Sequence, residues 1–233
     1  MASTLKILSW NIRQGGGTRT DDILKSVYQH NPHIIIFSEF RNNQSGAMIR
    51  TRLMMKGYSH QFVTAAQKQT NSVLIASKLH GDSQLFYDEV KDFPESVVML
   101  KTSGIEIYGL YLPHKKKHEL FKFLLHRVAE GNPVILAGDF NTGVNGVDQK
   151  GDSFWYSEYL GKLEEANVFD AFRHFHPEAE EYSWYSHGGN GFRYDHTWVH
   201  DSLKPFLADC SYSHQEREAG TSDHSVMLLE LQV

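Results

Sequence analysis

The chain has 233 residues, 40% hydrophobic and 22% charged, a mix that suits one soluble globular domain with a sizeable core. Its lone cysteine, Cys210, excludes an intramolecular disulfide framework and fits a reducing, cytoplasmic setting. The formal net charge of −5 argues against a generally basic nucleic-acid coat without excluding a local basic face, and no apolar run approaches the roughly 18 residues of a membrane span.

The N-terminus passes straight into a strand, Leu5 to Trp10, with no secretory signal expected, and this strand delivers Asn11 at its end. Asp21 or Asp22 is placed to cap a helix running to His30, with Ile23, Leu24 and Val27 on its inner face, and Asn31-Pro32 stops it. His33 to Phe37 reads as a buried strand that delivers Glu39. Strand, helix and strand within about 35 residues predict a crossover unit with parallel strands. Residues 45–56 read as a helix and Val73 to Ala76 as a short buried strand. Residues 96–101 and 105–111 flank Thr102-Ser103-Gly104 as a β-hairpin, whose second strand leads into Tyr111-Leu112-Pro113-His114.

Lys115 to Ala129 has the periodicity of an amphipathic helix burying Leu120, Phe123, Leu124 and Val128. Pro133 then opens the strand Val134 to Ala137, which ends in Gly138-Asp139-Phe140-Asn141. In open α/β sheets, ligands bind beyond the carboxyl ends of strands, although a strand followed by an Asx turn is an equally available reading of this stretch alone. A helix is expected over 153–166, capped by Asp152 or Ser153. The C-terminal part reads as strands at 182–184, 192–199, 205–210 and 225–231. No fixed-period repeat, low-complexity segment or linker interrupts residues 1–233, so a single α/β domain is expected.

Strand ends and the loops after them carry Asn11, Glu39, Tyr111, Asp139 with Asn141, Asp195, and Asp223-His224. Singly, each is as easily a solvated surface group. Together they supply what phosphate chemistry needs. Carboxylates and amide oxygens are hard ligands for Mg²⁺ or Mn²⁺. An Asp beside an Asn can take a proton from an attacking water, and a His backed by an Asp can carry positive charge toward a developing phosphorane.

The segments Ser9-Trp10-Asn11-Ile12-Arg13, Ser38-Glu39-Phe40, Tyr111-Leu112-Pro113, Gly138-Asp139-Phe140-Asn141, Arg193-Tyr194-Asp195 and Ser222-Asp223-His224 resemble, in order, the motifs of the endonuclease/exonuclease/phosphatase superfamily. Asp170-Ala171-Phe172-Arg173-His174, with Tyr182-Ser183-Trp184 after it, resembles the exonuclease III type of AP endonuclease. The resemblance implies a four-layer α/β/β/α sandwich: two packed mixed sheets flanked by helices, with the site at one rim.

It also implies roles. Glu39 is the expected principal ligand of Mg²⁺ (or Mn²⁺), with Asn11 helping to orient it and Asp223 at a second or alternative metal position. Asp139 positions and deprotonates the attacking water, Asn141 holds the scissile phosphate, and Tyr111 donates to phosphate. His224, oriented by Asp195, stabilises the pentavalent phosphorus. Trp184, Phe192 and Tyr194 match a pocket for a base-less sugar, or else ordinary core. Arg13, Arg19, Arg41, Lys78, Lys115, Lys116, Lys117 and Arg193 are the candidates for phosphate contact. The Lys115–Lys117 run is also readable as a solvated helix start.

The implied partner of a monomer is duplex DNA carrying an abasic site or a 3′ end. His114 stands where family members commonly have Asn, and the loops that contact DNA look trimmed. RNA, an inositol phosphate or a phospholipid headgroup therefore remains the alternative substrate, and a non-catalytic nucleic-acid-binding protein the third reading.

Overall fold

The computed structural model describes residues 4–151 and 153–232. In chain order the elements are β1 (Thr4–Asn11), α1 (Thr20–His30), β2 (Ile34–Phe40), α2 (Gln44–Met55), β3 (His60–Val63), β4 (Ser72–Ser77), β5 (Asp82–Leu85), β6 (Val97–Thr102) and β7 (Ile105–Tyr111). They continue with α3 (His118–Ala129), β8 (Val134–Asp139), α4 (Glu158–Glu165), β9 (Val168–Asp170), α5 (Ala171–Phe175), β10 (Trp184–Tyr185), β11 (Gly191–Phe192), β12 (Asp195–His200), β13 (Leu207–Ser213), α6 (Gln215–Glu218) and β14 (Val226–Gln232).

Two six-stranded mixed sheets form, ordered β13-β14-β1-β2-β4-β3 and β5-β6-β7-β8-β12-β9. Each carries one parallel pair, β1 with β2 and β7 with β8, among antiparallel neighbours. The expected crossover unit is thus β1-α1-β2.

The apolar run Ile34 to Phe37 shows why the layers stack. Ile34 and Ile36 enter the core between the sheets with Ile7, Ile75, Ile107 and Ile135, while Ile35 and Phe37 pack outward against Ile23, Leu24 and Val27 of α1. A strand covered on both faces needs apolar residues at every position, where a half-exposed one alternates. On the far side, Leu120, Phe121 and Leu124 of α3 and Leu160 and Leu163 of α4 cover Tyr108, Leu110 and Leu136. The expected α/β/β/α order is what the chain adopts. At roughly 1.5–3 kcal/mol per fully buried large apolar side chain, these three clusters are the main stabilising term. Gly109 lets the sheets approach closely: a Cβ there would meet Ile36 and Val73 at 3.0 Å.

Several local expectations are corrected. Asp21 and Asp22 do not cap α1. They lie in its first turn, where negative charge suits the helix dipole, and Arg19 precedes the helix without a side-chain capping bond. α3 starts at His118, because Lys116 takes a left-handed conformation and breaks the run from Lys115. The helix expected over 153–166 is confined to α4, and Asp152 lies outside the described residues. Pro205 sits in a 3₁₀ segment, Asp201–Phe206, so its strand begins only at Leu207. Among the described residues, no helix is long and apolar enough to cross a membrane.

Candidate active site

The carboxyl ends of β1, β2, β7 and β8 and the amino ends of β12 and β14 meet at one rim, because β12 and β14 run antiparallel to β8 and β1. Tyr111, Asp139 and Asp195 are register partners across β7, β8 and β12 and form one row on the second sheet. Gly138 permits that row: a Cβ there would lie 2.0 Å from the Leu110 carbonyl oxygen, so no larger residue fits.

Asn11 joins this row to the first sheet. Its Nδ2 donates to Asp139 Oδ2 at 2.9 Å and to Glu39 Oε1 at 3.2 Å, while its Oδ1 accepts from the Arg13 N–H at 2.9 Å. The amide therefore presents its nitrogen to the carboxylates. Asn11 thus ties Glu39 to Asp139. Glu39 lies at a bulge in β2 with φ +53°, a left-handed conformation uncommon for this residue. Its Oε2 accepts from Gln14 N–H at 2.8 Å. Asn141, also left-handed at φ +48°, donates its N–H to Asp139 Oδ1 at 2.8 Å and its Nδ2 to Leu112 O at 2.8 Å.

His224 precedes β14 and is held from three directions. Its carbonyl accepts from Trp10 Nε1 at 3.0 Å, its N–H donates to Ser222 Oγ at 3.3 Å, and its Nδ1 pairs with Asp195 Oδ2 at 2.8 Å. Tyr212 donates its hydroxyl to the Asp195 carbonyl, fixing the dyad from β13.

The charges are tuned by burial and by one another. Burial, with Asp195 beside it, pushes Asp139 up to about 7 against the pull of His224. Burial depresses His224, but Asp195, Asp139 and Asp223 outweigh it and raise the ring to about 10, so it is cationic at neutral pH. Burial, then Glu39 and Asp139, hold the Tyr111 phenol protonated as a donor.

Asp139, Asp195 and His224 each bring one ligand atom to within 4.8 Å of the others. Asp195 Oδ1 and Asp223 Oδ1 are buried with no hydrogen-bond partner. Buried carboxylate oxygens without a hydrogen-bond partner are hard donors of the kind a divalent cation prefers. Asp223 Oδ2 also accepts from Trp184 Nε1 at 3.4 Å and lies 3.9 Å from Arg13 Nε.

Trp184, Phe192 and Tyr194 cluster against the dyad. Phe192 stacks on Tyr194 with centroids 5.4 Å apart, and Trp184 lies 5.5 Å from Tyr194 and 6.5 Å from His224. Lys115 and Trp155 stand over a neighbouring cleft.

Three expected phosphate contacts are elsewhere. Arg193 is 0% exposed, because Asp148 and Asp170 bind its guanidinium at 2.5–2.9 Å. Lys117 is likewise buried and donates from Nζ to the carbonyls of Phe140 (2.9 Å) and Asn141 (2.6 Å), bracing the loop that carries Asp139 and Asn141. Burial lowers its pKa to about 7, against the pull of Asp139. Lys78 follows β4, where its backbone N–H meets His33 at the opposite rim. Arg19 donates to the Thr221 and Arg13 carbonyls, and Arg41 to Asn71 and Gln69, so both tie rim loops together. Sequence reasoning missed the bracing role of Lys117 and the partners of Arg193, Asp148 and Asp170. A lysine or arginine beside a motif carries no mark of burial.

The chain is similar to the 3′ phosphatase NExo from Neisseria, solved bound to product DNA hairpin (TM-score 0.85, 22% identity, 98% of this chain and 100% of that chain). It is also similar to an AP endonuclease from Archaeoglobus fulgidus (0.85, 20%, 98% and 100%) and to the 3′-5′ exonuclease NExo from Neisseria meningitidis (0.84, 22%, 98% and 100%). At these identities the likeness is one of fold. The sequence profile of the Endonuclease/Exonuclease/phosphatase family matches residues 8–224, and the chain belongs to that family.

Proposed function

We propose that the protein is a divalent-metal-dependent phosphodiesterase that hydrolyses DNA at abasic sites, at 3′ ends, or at both. The observation that carries this reading is the junction of Asp139 and the His224–Asp195 dyad at one rim, with Asn11 tying Asp139 to Glu39. The product DNA hairpin bound by the Neisseria 3′ phosphatase and the Trp184–Phe192–Tyr194 cluster beside His224 support DNA as the substrate.

Asp139, held by the Asn11 amide and the Asn141 N–H, is placed to take a proton from the entering water as its oxygen bonds phosphorus. The phosphorus–oxygen bond opposite then breaks, and the leaving sugar oxygen takes up a proton from solvent. His224, kept cationic by Asp195, offers positive charge to the phosphoryl oxygens as the pentavalent state forms. Tyr111, kept protonated, and the Asn141 amide orient the phosphate. Glu39 is the residue we assign to hold Mg²⁺, with Asp223 Oδ1 as a further donor. The bound ion supplies Lewis-acid neutralisation of phosphate charge.

The test is incubation with Mg²⁺ and end-labelled duplexes, one intact and one bearing a single abasic site. Product lengths separate incision at the lesion from trimming at the 3′ end, and EDTA should abolish both. Full activity in EDTA, or activity confined to inositol phosphates or phospholipid headgroups, contradicts the proposal.

A further inference from the structure

Asn141 is a wall shared between the Asp139 cluster and a cleft of about 310 Å³, whose other sides include His114, Lys115, Phe154, Trp155 and Tyr194. Trp155 is 60% exposed, the most exposed aromatic residue among those described. A large indole left in water forgoes a sizeable burial energy, so its placement calls for a partner.

The segment that presents Trp155 is locked. The Trp155 carbonyl accepts from Thr142 Oγ1 at 2.7 Å, and Asn145 Oδ1 accepts from the Phe154 N–H at 2.8 Å. The Asn145 N–H donates to Ser157 Oγ at 3.2 Å, and the Phe154 ring meets Tyr194 edge-on at 5.7 Å. Lys115 Nζ stands 5.5 Å from the centre of the Trp155 ring. His114 packs edge-on against Tyr194, and burial, with Lys117 and His224 nearby, lowers its pKa and favours the neutral ring. The cleft therefore has aromatic walls at His114, Phe154, Trp155 and Tyr194, the polar side chains of Asn141 and Ser153, and one cation, Lys115. A phosphate alone would call for several convergent donors. A nucleobase calls for a stacking face, with a cation near its own phosphate.

We propose that this cleft is a stacking subsite for one unpaired nucleobase of the nucleotide adjoining the scissile phosphate, with Trp155 as its platform and Lys115 beside its backbone. The inference rests on the DNA-hydrolase reading above and narrows it. A base offers its face to an indole only when it is out of the duplex stack, so the preferred substrates are frayed, mismatched or single-stranded ends.

The test combines protein and substrate deletions. Single-stranded DNA oligonucleotides carrying one abasic analogue, moved stepwise along the strand, are compared with the intact strand on wild type, Trp155→Ala and Trp155→Phe. Binding is read by fluorescence anisotropy in Ca²⁺, and cleavage in Mg²⁺. Trp155→Ala should weaken binding of the intact strand about tenfold, as loss of one base–aromatic stack does. At one position next to the cleaved bond, removing the base should cost wild type about the same, and the two deletions together no more than either alone. Trp155→Phe should retain most of the affinity. Additive losses at every position, or unchanged binding by Trp155→Ala while cleavage persists, overturn the subsite and leave the hydrolase reading standing. Absence of both cleavage and binding by wild type overturns that reading and the subsite with it.

Discussion

Asn11 donates across the gap between the two sheets to Asp139 at 2.9 Å, and the same amide nitrogen reaches Glu39 at 3.2 Å. One uncharged side chain thus sets the spacing of two carboxylates that would otherwise repel. Asn11→Ala leaves a buried acceptor unsatisfied, at a cost of about 1–3 kcal/mol. If that cost is felt in the transition state, turnover falls roughly 5- to 150-fold. Asn11→Asp puts a third carboxylate into the site and should be worse than alanine. Single-turnover cleavage at saturating enzyme and Mg²⁺ decides it, and an Asn11→Asp protein as active as wild type would refute this role.

The pairing of His224 Nδ1 with Asp195 Oδ2 at 2.8 Å makes the two act as a unit. Asp139→Asn should lower turnover by about 10²–10⁴-fold while DNA binding survives, the usual contribution of a positioned base. His224→Ala should lose about 10²–10³-fold, mostly in turnover. Asp195→Ala should cost less than His224→Ala, and adding it to His224→Ala should cost little more, because members of one unit are not additive. Independent, fully additive losses in single-turnover assays would break the proposed pair.

Metal binding can be followed without activity. A ligand that binds only the folded chain stabilises it by about 2.7 kcal/mol at a hundredfold excess over Kd. Mg²⁺ should therefore raise the Tm of wild type in a concentration-dependent way. Glu39→Gln keeps the size of the side chain but removes its charge, and should flatten that response. An equal Mg²⁺-dependent rise in both proteins would remove Glu39 from the metal site.

Legibility in the sequence differs by kind of signal. The apolar runs Ile34 to Phe37 and Val134 to Ala137 announce buried strands, because strands covered on both faces have no polar positions to disguise them. β3 and β5, by contrast, are half-exposed edge strands of four residues each, with sequences His60–Val63 and Asp82–Leu85 that carry no comparable pattern. The residues Asn11, Glu39, Tyr111, Asp139, Asp195 and His224 are legible as a set through the family motifs, and their convergence follows from strand order and direction. Lys117 and Arg193 are not. Whether a basic side chain faces solvent or a buried carbonyl depends on partners such as Phe140 and Asp148, which lie 23 and 45 residues away in the chain.

Arg193 gives the last expectation, a dependence of stability on pH. Its guanidinium binds both oxygens of Asp148, at 2.8 and 2.9 Å, and Asp170 Oδ2 at 2.5 Å, and Arg173 adds a contact to Asp148 at 2.6 Å. Asp148 also accepts the Val144 N–H at 2.9 Å, and its carbonyl accepts the Arg193 N–H, so the cluster anchors the loop that leads to Trp155. Burial alone would raise both carboxyls, but Arg193, with His196, outweighs it and holds Asp148 and Asp170 below their ordinary value. Groups with depressed folded-state values contribute their full stabilisation above the unfolded value, about 3.9, and lose it as pH falls through the folded values beneath that. Asp148→Asn leaves the arginine charge short of a partner in the interior and should cost about 3–5 kcal/mol at neutral pH. The gap between wild type and Asp148→Asn in chemical denaturation should stay constant above pH ~5 and shrink below pH ~4. The Mg²⁺-dependent rise in Tm should survive in the variant, since Asp148 lies outside the rim cluster. A gap that widens on acidification would mean that the carboxylate charge is not what stabilises this cluster.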